Sequence, residues 1–193
     1  MRNEMRNKIK LGKKLLAVAA ALVLALTLAG CDSMPTLGGN GLTPVEDAST
    51  TSDGRETGGY AVADMGEEMK CHFFGFTVNS AYRTAAYEGA APADGNSFVV
   101  VEVTINNPYD EEVPMFGNDF VLFYGDTDTD YCYPISSIAD SQLPDEYQIE
   151  KGGSRTGELV FEVPTQSTDF SFLYQEIYED DVWGNAYGVS FSL

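Results

Sequence analysis

Ser97-Phe98-Val99-Val100-Val101-Glu102-Val103-Thr104-Ile105-Asn106 is the stretch that decides the fold. Val99, Val101, Val103 and Ile105 recur at every second position, so an extended chain puts them on one face, whereas a helix would scatter them. Glu102 and Thr104 fall on the opposite face, the pattern of a strand with one side on a core and one toward water. Asp94-Gly95-Asn96 precedes it with residues that tolerate a turn. Asn107-Pro108 closes it, because proline has no N–H to give to a ladder.

The same alternation appears on both sides of this strand. Upstream, Cys71-His72-Phe73-Phe74-Gly75-Phe76-Thr77-Val78 places Phe74, Phe76 and Val78 on one face. Downstream, Phe120-Val121-Leu122-Phe123-Tyr124 and Tyr131-Cys132-Tyr133-Pro134 read as a hairpin with an acidic tip, and Ile135 to Tyr147 as a long loop with a helical turn near Ser137. Gly157-Glu158-Leu159-Val160-Phe161-Glu162-Val163 turns Leu159, Phe161 and Val163 inward. Phe170 to Tyr174 and Tyr187 to Leu193 complete the set. Short strands broken by turns, with no amphipathic segment of helix length, predict an all-β chain built as an antiparallel sandwich of immunoglobulin-like architecture. The Cys…Trp…Cys order of antibody domains is absent, since Trp183 follows both Cys71 and Cys132.

Two segments carry a family likeness: Gly95-Asn96-Ser97-Phe98-Val99-Val100-Val101 with its Asn106-Asn107 close, and Gly152-Gly153-Ser154-Arg155-Thr156-Gly157-Glu158-Leu159-Val160-Phe161-Glu162-Val163-Pro164. They resemble a family of exported bacterial lipoproteins with a telokin-like, or immunoprotective-antigen-like, β-sandwich domain of unknown function. The likeness runs from about Lys70 to Tyr174. It implies a fold and a location; the shared positions are turn glycines and core residues, and no catalytic residues carry over.

The first thirty residues read as an address. Arg2, Arg6, Lys8, Lys10, Lys13 and Lys14 precede an apolar run from Leu15 to Leu28, the order of a secretory signal peptide. That run is short for a permanent span, which takes about 20 residues. Leu28-Ala29-Gly30-Cys31 resembles the lipobox of bacterial lipoproteins, which implies cleavage before Cys31 and a diacylglyceryl thioether on its sulfur, with acyl chains such as palmitate. A single chain anchors only marginally, and two or three hold. The expected division is a signal peptide over 1–30, a flexible tether over 31–66 and a sandwich over 67–193. A Gly/Ser-like coil of about 35 residues spans about 30–35 Å. Tyr60 to Val62 is a candidate for an added strand.

Charge narrows the function. Of 30 acids and 11 bases, the leader holds one acid and six bases, leaving 29 acids and 5 bases and a formal charge of −24. Such a chain repels nucleic acid and anionic headgroups. Cys71 and Cys132 remain after Cys31 is assigned to the lipid. In an exported protein they are either bridged, closing a loop of about 60 residues for about 3–4 kcal/mol, or two separate buried thiols. His72 is the only histidine, so no histidine-rich metal site can form, and as a strand residue among phenylalanines it reads as packing rather than as a base. Asp126-x-Asp128-x-Asp130 offers alternating oxygens of the kind calcium takes. It fails as an EF-hand, with Tyr131 where glycine is needed and Ser137 where a bidentate glutamate is needed.

No catalytic residue, metal site or cofactor is assigned. The expectation is a non-catalytic binding or accessory module on the outer face of a bacterial cell membrane, held by its lipid and meeting an envelope or extracellular protein. The alternative is a solute- or calcium-binding sensor. A binding module predicts an exposed aromatic or apolar patch, for which Tyr109, Phe116, Tyr131, Tyr133, Tyr147, Tyr178 and Trp183 are the candidates.

Overall fold

A computed structural model describes residues 41–125, 127, 129–178 and 180–193. The strands, in chain order, are β1 (Ser49–Thr50), β2 (Glu56–Thr57), β3 (Tyr60–Ala63), β4 (Glu68–Lys70), β5 (Gly75–Thr84), β6 (Asn96–Asn106) and β7 (Val113–Phe116). After a 3-10 turn at Gly117–Asp119 come β8 (Phe120–Phe123), β9 (Tyr131–Cys132), β10 (Glu146–Ile149), β11 (Ser154–Pro164), β12 (Asp169–Ile177) and β13 (Trp183–Ser192). A four-stranded sheet, β11-β6-β5-β4, faces a five-stranded sheet, β3-β13-β12-β8-β9. The fold is the expected all-β sandwich.

The alternating positions meet between the sheets. Val99, Val101, Val103 and Ile105 are fully buried, as are Phe161, Val163, Phe120, Leu122, Phe172 and Val189. Phe120 stacks on Phe172 at 4.9 Å between ring centroids, and Phe74 lies 4.5 Å from Tyr174. Each large side chain removed from water in this way contributes about 1.5–3 kcal/mol.

Five expectations need correction. The segment Cys71–Val78 is not one strand. A turn closed by Cys71 N–H donating to the Phe74 carbonyl at 2.9 Å separates β4 from β5, although Phe74, Phe76 and Val78 are buried as expected. No glycine or proline marks Cys71-His72-Phe73-Phe74 as a turn.

The outer face of β6 is solvated only in part. Phe98, Val100 and Val160 form a second small core with Tyr87, covered by Ala90, Ile135 and Ala139. The segment after β9 is pinned there by Ile135 N–H to the Val160 carbonyl at 2.8 Å and Leu143 N–H to the Glu158 carbonyl at 3.0 Å. That long loop also ends in a strand, because β10 pairs with β7; the residues around Ser137 are not helical.

The sandwich is not wholly antiparallel, since β3 runs parallel to β13. Finally, the tether does not extend to Gly66. Thr43 N–H donates to the Lys70 carbonyl at 2.8 Å, Glu46 and Tyr60 exchange two backbone bonds, and β1 and β2 form a hairpin. Polar composition concealed this, because backbone pairing to existing edges holds the segment and only a few of its residues, Val45 and Ala61 among them, pack on the core. Cys31 and the leader lie outside the described residues.

Candidate functional site

The two cysteines do not pair. Cys71 is a buried free thiol that donates to the Phe74 carbonyl at 2.9 Å, beside the β5 end that faces Asn106. Cys132 is a half-buried free thiol opposite Leu122. Leu122 pairs with Phe172, whose ring lies 6.1 Å from Phe161, the partner of Val99. The two thiols thus sit toward opposite ends of β6, on the order of 20 Å apart along the strand, against the 4.4–6.8 Å between α-carbons that a bridge needs. Burial pushes the Cys132 thiol up to about 12, and Cys71 is pushed higher still by burial and the nearby Glu176 carboxylate.

At the acidic tip, Asp126 and Asp128 lie outside the described residues. Asp130 Oδ2 accepts from Thr127 N–H at 2.9 Å. Among the described residues no three His, Cys, Asp or Glu side chains converge as a metal site. His72 is exposed, with its ring edge-on to Phe73 at 5.1 Å and 5.6 Å from Tyr178. Its backbone N–H donates to Glu176 Oε1 at 2.6 Å.

Glu176 escaped the sequence reading. It is 1% exposed, at an irregularity where β12 and β13 shift register between Gln175 and Ile177. Oε2 accepts from Asn185 N–H at 3.0 Å. The paired donors make burial of a carboxylate tolerable, and the side chain locks the bulge. Above it Arg55 clasps the β1–β2 hairpin to the turn after β12. It donates twice to Asp180 at 2.8 Å, meets Asp53 at 2.7 Å and lies 4.9 Å over the Tyr178 ring.

The outer faces of the two sheets differ in charge. On the four-stranded sheet Glu102 stands directly opposite Glu158, with Glu162 opposite Phe98 and Glu68 opposite Thr77. Glu158 accepts from Tyr82 Oη at 3.1 Å and Tyr87 Oη at 2.6 Å. Burial and this carboxylate push the Tyr87 hydroxyl up to about 12.

On the five-stranded sheet, Phe170, Phe172 and Tyr174 enter the core, so Ser171, Leu173 and Gln175 face outward. Ladder partners extend these into rows. Ser190, Ser171, Phe123 and Tyr131 form one; Val62, Gly188, Leu173 and Val121 the next; then Tyr60, Ala186 and Gln175. Ile177 and Trp183 form a further pair. None of these residues is charged; Asp169 stands in the end row of the same face, where it accepts from Ser192 Oγ at 2.8 Å, and Glu46, which accepts from Tyr60 Oη at 2.7 Å, stands at the rim.

Several are well exposed: Val62 at 44%, Ile177 at 50% and Trp183 at 42%. Tyr133, 54% exposed, extends the face from Tyr131 at 6.0 Å between rings. Leu173 and Phe123 are buried yet belong to neither core cluster, because they lie flat on this face among their neighbours. Of the aromatic candidates, Tyr147 is buried, Tyr109 and Phe116 are exposed elsewhere, and Trp183, Tyr131 and Tyr133 belong here.

With both sheets and their faces described, the likeness to known proteins can be placed. A family model for a domain of unknown function, DUF4352, matches residues 63–185. The chain belongs to the DUF4352 family. Its DUF4352 region runs from the end of β3 into β13 and so takes in both sheets.

Similar solved structures include the YjhA protein of Bacillus subtilis, 20% identical with a TM-score of 0.51, covering 65% of this chain and 98% of that one. YcdA of Bacillus subtilis, a presumptive lipoprotein, is 17% identical with a TM-score of 0.48 over 68% of this chain and 38% of that one. An uncharacterized β-sandwich protein of Clostridium difficile is 11% identical with a TM-score of 0.46 over 74% and 99%. No curated protein matches the sequence. At 20% identity the likeness to YjhA bears on the fold alone.

Proposed function

We propose that this DUF4352 chain is a lipid-anchored lipoprotein of the bacterial cell surface, and that its sandwich, of the telokin-like kind, is a non-catalytic module that binds an envelope or extracellular protein. The observation that carries the binding reading is the outer face of the five-stranded sheet, uncharged from the Ser171–Ser190 row to the exposed pair Ile177 and Trp183. In a chain of net charge −19 the acids of this face stand only at its margins among the described residues, Asp169 at one end and Glu46 at the rim. Charge kept off an exposed face with aromatic and aliphatic residues is the composition of an interface centre. The anchor reading rests on the basic leader, its apolar run and Leu28-Ala29-Gly30-Cys31.

Pull-down of the anchored protein from intact cells tests the binding reading. A partner retained by the native chain is expected to be lost from Ile177→Asp/Trp183→Asp, and equal retention by both would refute the assignment of this face. Palmitate labelling tests the anchor: label is expected to disappear in Cys31→Ala, and its persistence would sink the lipid reading.

A further inference from the structure

We infer that the partner of the outer face of the five-stranded sheet is itself membrane-bound, a neighbour whose extracytoplasmic part stands beside this domain at the bilayer surface. The inference rests on the anchor and binding-face readings above and follows from where the folded region begins. Composition suggested a spacer reaching to Gly66. The structure pins the chain from Thr43: its N–H donates to the Lys70 carbonyl at 2.8 Å, and its Oγ1 accepts from Lys70 N–H at 2.7 Å. Glu46 then pairs with Tyr60 through backbone bonds of 2.8 and 3.0 Å. From Cys31 to Gly41 there are ten residue steps, and ten residues in any conformation reach at most about 33–36 Å.

The exit point also sets which part of the face lies nearest the membrane. Residues 43–46 bridge the edge of β4 to the edge of β3, the two strands that border one side of the sandwich. Val62, 44% exposed, is on β3 and so lies at that border. The longest strands of the domain measure about 33–37 Å. Every point of this face is therefore within roughly 70 Å of the lipid anchor, and its Val62 margin is the closest. That upper bound keeps the whole face near the bilayer surface. That favours a partner confined to the same surface, because confinement raises the effective concentration of each for the other.

The test uses the full-length chain in the bacterium that makes it, with the photoreactive substitution Val62→p-benzoylphenylalanine. The same substitution at Tyr82, exposed on the opposite sheet, is the control. A second version carries 30 Gly/Ser residues inserted between Leu37 and Gly38. The expected result is an adduct from Val62 with a protein that stays in the membrane after carbonate washing, and none from Tyr82. Lengthening the tether from 10 to 40 residues should lower the adduct yield about two-fold, since the height the domain samples above the bilayer grows as the square root of tether length. An adduct with a soluble or wall-bound component, an adduct between two copies of this chain, an equal yield from Tyr82, a yield indifferent to the spacer, or no adduct would each overturn the inference. Cys31→Ala separates the two levels. If that variant keeps its palmitate label, the anchor reading has failed; if the label is lost as expected but Val62 gives no adduct, the anchor stands and the membrane-bound partner does not.

Discussion

Gly184 lies against the side chain of Glu176 so closely that a Cβ built there would be 2.7 Å from both Glu176 Cβ and Oε2, and 3.0 Å from Tyr178 Cε2. The glycine makes room for the buried carboxylate, and the carboxylate holds the irregular end of the β12–β13 ladder by accepting from His72 and Asn185. Gly184→Ala is expected to destabilise the domain by about 1–3 kcal/mol through overpacking. Urea unfolding of residues 31–193 would show this as a lower midpoint with an unchanged slope, and an unshifted midpoint would contradict the contact.

Glu176→Leu probes the same site from the other side. It removes the acceptor but leaves two backbone N–H groups in a buried setting, which costs about 1–3 kcal/mol. The loss should be local as well as global. Amide exchange at His72 and Asn185 is expected to accelerate more than exchange in β6, and uniform acceleration would argue against a specific lock.

Arg55 gives the hairpin a pH dependence. Its hydrogen bond, with a smaller one from Thr51, holds the Asp53 carboxyl down to about 2, and Arg55 also lowers Asp180. A carboxyl lowered in the folded state adds stability that is fully present above its unfolded value near 3.9, and that is lost as pH falls through the folded value. Docking of the hairpin should therefore weaken between about pH 4 and pH 2. Both carboxylates are exposed, so the effect is screened by salt and small. In Arg55→Ala the Asp53 midpoint, followed by carboxyl NMR, is expected to return to the ordinary range of about 3.9; a midpoint that stays near 2 would mean another group holds it down.

The separated thiols predict redox independence. Residues 31–193 with Cys31 replaced by serine should show two titratable thiols after unfolding under non-reducing conditions, and reductant should leave Tm unchanged. In the native state Cys132, half-buried, should react before Cys71, which is 1% exposed. A mass two daltons lower than the free-thiol form would refute this.

Which parts of this structure were readable from sequence follows from the range of the forces involved. The period-2 runs at Val99–Ile105 and Leu159–Val163 gave the core correctly, because alternation is a local property of one strand. Glu176 looked like any of the other acids, since only the β13 bulge and the turn at His72 make it buried. Phe98 and Val100 fell on the solvent side of their strand, and only the return of Tyr87, Ile135 and Ala139 from distant loops covers them. The outer face of the five-stranded sheet was hidden for the same reason. Val62, Leu173, Gly188 and Val121 come from separate strands, and ladder register alone brings them into a row.

That face should be dispensable for folding. Ile177 and Trp183 are 50% and 42% exposed and sit at the end of their ladder, so Ile177→Asp and Trp183→Asp remove little buried area. Made one at a time, each adds a charge whose ladder partner is uncharged. Surface changes of this kind usually shift stability by no more than about 0.5 kcal/mol. Phe172→Ala, on the same strand as Ile177 but facing inward, is expected to cost about 3–5 kcal/mol. Parallel urea titrations of the two surface variants and the core variant provide the check. If the surface pair proved as costly as Phe172, the exposed residues would be serving the fold, and their freedom from charge would need no partner to explain it.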